Sequence, residues 1–268
     1  MAIVKGMQKI VGGFANASFY TIQGSDEVYV RIKGGPSKRA IKTKPQFEKL
    51  RRNNNEWKAC SKMGSNIRRS YYRMTHLEDF PAIGTLNGIA KKIQKMDTEA
   101  EHGKRGVYLT KNKEAILGFN FSRKQVFESV LRVPVEAELS RDLMSARIYL
   151  PAIDTRMYLY NFRNLPFFRL YFQLCGVSDL VYSEVKKEYY EPQYAFAKGD
   201  SEYVTEWLST NGYTEPINLT LKYNQDEPPI HESITLVLSV GLEFGKQGAD
   251  GKPEGVKYAG CGKILRVG

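Results

Sequence analysis

Apolar residues first recur with a period of two. Residues 18–22 (SFYTI) and 28–32 (VYVRI) are β-branched and aromatic, with turn material at 24–26 (GSD) between them, which predicts a β-hairpin. Gly34-Gly35-Pro36-Ser37 ends the second strand. The period then changes. Phe47, Leu50, Trp57, Cys60, Ile67, Tyr71 and Met74 recur at spacings of three, four or seven. This predicts an apolar face on one helix, or on two helices broken near Gly64. Thr43 is the expected N-cap, with Pro45 in the first turn and Gln46 completing a capping box. A second helix is expected after Pro81, with Ile83, Leu86, Ile89, Ile93 and Met96 inward and Lys91, Lys92 and Lys95 outward. Residues 97–106 are polar and read as a loop.

Beyond this loop the pattern is that of strands, at 116–121, 132–139, 146–150, 167–175, 217–223, 233–244 and 256–267. Val133/Val135/Ala137/Leu139 and Ile217/Leu219/Leu221/Tyr223 alternate strictly, as in a sheet with one wet face. The Gly-rich stretch 245–255 reads as a hairpin loop, and 182–207 fits strand, loop or a short helix. The expected fold is α+β, mainly β. A β-hairpin and basic helices (1–106) precede an antiparallel β-sandwich or jelly-roll-like body (107–268).

Charge sharpens this division. The chain of 268 residues has a formal charge of +11. Residues 1–75 hold 16 Lys and Arg against four acids, and the remainder holds 24 basic against 25 acidic groups. Arg51, Lys58, Lys62, Arg69 and Arg73 repeat at seven, four, seven and four, which lays a basic stripe along the first helix. Such a stripe, with Tyr71 and Tyr72 beside Arg68, Arg69 and Arg73, suits phosphates and stacked bases. It equally suits an acidic protein face, or a solvated surface.

Candidate chemistry is sparse. Cys60, Cys175 and Cys261 lie far apart without a CxxC spacing, so buried thiols in a reducing compartment are expected rather than a zinc site or disulfides. His76, His102 and His231 share no ligand spacing and read as surface residues; Thr235 stands where HExxH would need its second His. Glu78/Asp79, Glu136/Glu138 and Asp226/Glu227 are acid pairs of the kind glycosidases use, but any chain of this size holds such pairs. Gly34–Arg39 and Gly260–Lys263 lack the context of phosphate loops. No cofactor or metal is implied. Lys5 and Lys9 interrupt the first apolar stretch and no run reaches membrane-spanning length, so synthesis in the cytoplasm is expected, with no membrane span.

The segments SFYTIQGSDEVYVRIKGGPS (18–37), IKTKPQF (41–47), RRNNNEW (51–57) and LVLSVGLEF (236–244) resemble those of an uncharacterised family of Bacteroidota proteins. The resemblance implies a bacterial source and a single architecture along the chain; the family has no assigned activity, so no catalytic residue carries over. Together these readings point to a non-enzymatic structural or scaffolding protein that self-associates into an oligomer or larger assembly. Phe19, Tyr20 and Tyr29 of the hairpin and the basic helix would contact neighbouring subunits. The alternative is a nucleic-acid-binding protein using the basic stripe.

Overall fold

The computed structural model describes residues 2–4, 11–22, 26–32, 34–193, 200–223 and 230–268. The chain packs as two compact units, Met1–Arg51 and Arg52–Gly268. The division therefore falls at residue 51, not at the expected 106, because most of the helical segment shares a core with the β-rich part.

The first unit holds β1 (Ala2–Val4), β2 (Gly12–Phe14), β3 (Ala17–Thr21) and β4 (Val28–Ile32) in an antiparallel sheet of order β1-β4-β3-β2. The expected hairpin is its centre; part of the turn, 23–25, lies outside the described residues. Helix α1 (Lys38–Thr43) follows, capped by Ser37, whose Oγ accepts from the Ala40 N–H. Thr43 is thus the last residue of a short helix rather than an N-cap. Its hydroxyl donates to the Arg39 carbonyl, while Pro45–Phe47 forms a 3-10 turn without a side-chain cap.

The second unit has three layers. Helix α2 (Glu48–Arg69), which belongs to this unit from Arg52 on, the 3-10 segment Tyr72–Leu77 and helix α3 (Ala82–Lys95) make one. Short helices α4 (Phe127–Val130) and α5 (Thr155–Tyr158) lie in connections. A three-stranded sheet of β5 (Glu136–Ser140), β6 (Ser145–Leu150) and β12 (Ile217–Lys222) makes the outer layer, with β6 central. Between them runs a five-stranded antiparallel sheet of β7 (Phe167–Ser178), β10 (Asp200–Val204), β11 (Leu208–Ser209), β13 (Ile234–Gln247) and β14 (Pro253–Val267). Strands β8 (Val181–Ser183) and β9 (Glu188–Tyr190) pair separately. The fold is α+β and mainly β, as expected.

Both faces of the central sheet are covered. Phe168, Leu170, Phe172 and Leu174 of β7, with Leu236, Leu238, Val240 and Leu242 of β13, pack toward β6 and β12. Tyr171, Val177, Val237 and Ile264 pack toward Cys60, Met63, Ile67, Met74 and Leu86 of the helical layer. This is why β13 is buried without alternation, while β5, β6 and β12 alternate as a half-wet sheet should.

Several local expectations shift. Residues 117–121 form no strand, only a bridge from Asn120 to Lys263, and the 245–255 loop shrinks because β13 and β14 extend into it. Met96 is exposed and Lys91 turns inward to Glu56. Leu50 and Trp57 are exposed; the buried face of α2 is instead Glu56, Ala59, Cys60, Met63, Gly64 and Ile67. The helix does not break at Gly64. A Cβ there would stand 2.1 Å from Asn87 Oδ1 and 3.1 Å from the Asn87 backbone nitrogen, so glycine lets α3 approach α2 closely. Gly88, one residue on, faces open space. Urea unfolding should therefore find Gly64→Ala destabilising by about 1–3 kcal/mol, while Gly88→Ala stabilises by about 0.5–1 kcal/mol.

Candidate functional site

The five residues of the basic stripe do not form one surface. Arg51 belongs to the first unit, where Nη1 donates to the carbonyls of Ile41 (2.7 Å) and Lys44 (2.9 Å). Arg73 lies past the end of α2, in the 3-10 segment, with Nε 2.5 Å from Glu202 Oε2 on β10. Lys58, Lys62 and Arg69 do come together. They line a groove of about 940 Å³ along α2, beside Trp57, Asn66 and the β9 residue Tyr190. Lys62 is already 3.1 Å from Glu191, and Glu188 also lines the groove. Among the described residues Lys62 and Arg73 are thus met by carboxylates of the β-rich part, which lowers the positive potential left for an external anion.

The hairpin aromatics divide between two faces. Directly opposed residues of an antiparallel pair share a face. The rows Phe14–Ala17–Ile32, Phe19–Val30 and Thr21–Val28 therefore make one face almost wholly apolar. Ser18, Arg31, Tyr20 and Tyr29 make the other, with the tyrosine rings stacked at 6.0 Å and the Arg31 guanidinium over Tyr20. Phe19, Tyr20 and Tyr29 are all half-buried. On the apolar face Phe14 is 78% and Ile32 80% exposed. Among the described residues of this unit only Val28 is buried.

Among the described residues three carboxylates that the sequence did not single out are buried: Asp179, which accepts from the Thr110 N–H and hydroxyl, Glu56 and Glu243. Glu56, fully buried on α2, accepts from Lys91 Nζ (2.6 Å), Arg105 Nε and Nη2 (2.6 and 2.7 Å) and the Gly103 N–H (2.9 Å). It pins the polar 97–106 loop and α3 to α2. Glu243, at the sheet centre on β13, accepts from Tyr171 Oη (2.6 Å) and Arg169 Nε (2.9 Å), with His76 Nε2 at 3.3 Å. Burial pushes the carboxyls of Glu56 and Glu243 up. The donors outweigh it: Arg105, Lys91 and Gly103 hold Glu56, and His76, Tyr171 and Arg169 hold Glu243, each at about 2. A signal for each of these two was present: Glu56 stands at helical spacing with Cys60, Met63 and Ile67, and Glu243 interrupts an apolar strand.

The remaining candidates are accounted for structurally. Glu78 is gripped by Arg68, and Asp79 accepts from Ser122 Oγ and from the Arg123 and Lys124 N–H groups. Glu136 and Glu138 are exposed on β5, and Asp226/Glu227 lie outside the described residues. All three cysteines are buried and unpaired; burial raises the thiols, Cys60 to about 11 and Cys175 to about 12. His102 meets Asn53 and His231 meets Ser233, whereas His76 is half a surface residue and half a partner of Glu243. Among the described residues no His/Cys/Asp/Glu cluster has metal-binding geometry, and no helix is long and apolar enough to cross a membrane.

Comparisons with family models, with curated proteins and with solved structures find no match to this chain.

The Glu56 and Glu243 carboxyls sit below the usual 4.5 when folded, so their stabilisation is complete above that value and is lost as pH falls toward about 2. Urea midpoints measured across that window should fall, with a shallower fall in Glu56→Gln and Glu243→Gln. At neutral pH Glu56→Ala, which strands Lys91 and Arg105, should cost about 3 kcal/mol.

Proposed function

We propose that this chain is a non-enzymatic structural protein that self-associates, with the N-terminal sheet as the part that meets a second copy. The observation that carries this reading is the apolar face of β2, β3 and β4. Phe14 and Ile32 are its most exposed members, and Phe19 and Val30 are only half covered. A four-stranded sheet gains its stability from burying a face, and a unit of this size has little core of its own. An identical apolar face on a second copy supplies the missing layer, by the aligned packing of two sheets. Arg31, Tyr20 and Tyr29 lie on the opposite face, so the Arg31 charges of the two copies are not brought face to face. Edge strands β1 and β2 offer a further route, main-chain pairing between copies.

A second reading, nucleic-acid binding, draws on the groove where Trp57 and Tyr190 flank Lys58, Lys62 and Arg69. The ion pairs of Lys62 and Arg73 count against it.

Size-exclusion chromatography with light scattering, at tens of micromolar, is expected to give a mass above that of one chain. Phe14→Glu/Ile32→Glu is expected to shift the mass toward the monomer without changing the melting of the second unit. A strict monomer for the unaltered chain would overturn self-association. Salt-sensitive retention of that monomer on heparin, lost in Lys58→Glu/Arg69→Glu, would favour nucleic acid instead.

A further inference from the structure

The β13–β14 hairpin slips out of register at two points, between Leu238 and Ser239 and, by more residues, between Glu243 and Gly245. Glu243 pairs with Gly260, yet Gly245, two residues on, pairs with Gly255. Strand β14 therefore bulges outward between these partners. At the bulge Tyr258 stands at φ 59°, the left-handed region that a side chain of this size disfavours. Tyr258 is exposed, and so is Lys257, whose Nζ lies 4.9 Å from the Tyr258 ring centroid. Bulges re-aim side chains, and strained backbone gathers at ligand clamps.

What the bulge re-aims them toward is a cleft of about 900 Å³ in the second unit. Its cations are Lys124, Arg163 and Lys257. None of the three is in an ion pair among the described residues; Arg163 Nη1 donates to the Lys257 carbonyl, fixing the guanidinium against the bulge. The two carboxylates of the lining are already engaged. Glu78 is held by Arg68, and Asp79 is used by Ser122 Oγ and two backbone N–H groups, which also anchor the turn that carries Lys124. His76 enters from the 3-10 segment with Nε2 directed to the buried Glu243, so its ring is set from behind. Phe80, Phe162 and Tyr258 add aromatic surface.

Asp79 partly offsets Lys124, but Arg163 and Lys257 have no carboxylate partner among the described residues. Together the three suit a group with more than one negative charge better than a single carboxylate, and the rings suit a flat apolar moiety. We propose that this cleft binds a small phosphate ester carrying a planar ring, of the size of a mononucleotide. Charge and ring act together: the phosphate takes Lys124, Arg163 and Lys257, and the ring lies against the aromatic wall. This binding is independent of self-association.

Isothermal titration of the full chain with AMP, ribose 5-phosphate and adenosine tests it. AMP is expected to bind more tightly than either fragment, with an affinity that falls as salt rises. Arg163→Glu and Lys257→Glu should each weaken AMP by at least about tenfold, while Lys92→Glu, exposed on α3 outside the cleft, leaves it unchanged. Tyr258→Gly separates ligand from fold: it relieves the left-handed strain, so the melting temperature should not drop, yet AMP affinity should. Absence of AMP binding, or binding that survives both charge reversals, overturns the proposal. So does equal affinity for AMP and ribose 5-phosphate, since the ring would then contribute nothing.

Discussion

The rest of the second unit depends on a sheet that is covered on both sides. Strands β7 and β13 present one set of side chains to β6 and β12 and the other to α2, α3 and the 3-10 segment. A strand in that position has no wet face, so its residues must be apolar, small or paired. Gly241 shows how tight the cover is: a Cβ there would lie 2.7 Å from Met74 Sδ. The same burial makes Glu243 costly unless it is met on every side, and Arg169, Tyr171 and His76 meet it. That carboxylate thereby couples the sheet to the 3-10 segment and to the cleft beside it.

Glu56 plays the matching part in the helical layer. It lies on the buried face of α2 and gathers Lys91 from α3 together with Arg105 and Gly103 from the loop beyond. A loop of polar residues is thus ordered by polar partners, Glu56 together with Asp97, Gln94 and Asn55, rather than by apolar packing. Lys62, Arg68, Arg73 and Lys91 of the helical segment likewise pair with carboxylates of the same chain. The asymmetry of charge along the sequence is therefore partly an internal complement between helices and sheet, as the pairs Lys62–Glu191 and Arg73–Glu202 illustrate.

The first unit follows a different logic. Its sheet has an apolar face and a polar-aromatic face, the arrangement of a layer that packs against something. The described residues bury only Val28. The two units thus pose opposite questions: one has enclosed its charges and its sheet, and the other leaves an apolar surface open.

Period and turn chemistry alone determined the hairpin of β3 and β4, the helices after Phe47 and Pro81, and the strands at 146–150, 167–175, 217–223, 233–244 and 256–267. These signals are local, because a residue's neighbours two or four positions away decide which face it shares. Alternation likewise identified the half-wet strands β5 and β12. What tertiary structure decided was everything that depends on a partner far along the chain. Only the covering of both sheet faces moved the boundary from 106 to 51, by giving the helices and strands a common core. Only packing chose Glu56 over Trp57 for the inner face of α2, because Arg105 and Lys91 arrive from outside the helix to compensate the charge. The basic stripe was legible as a spacing, but its fate was not: whether a cation stays available is set by the carboxylates that long-range folding brings beside it.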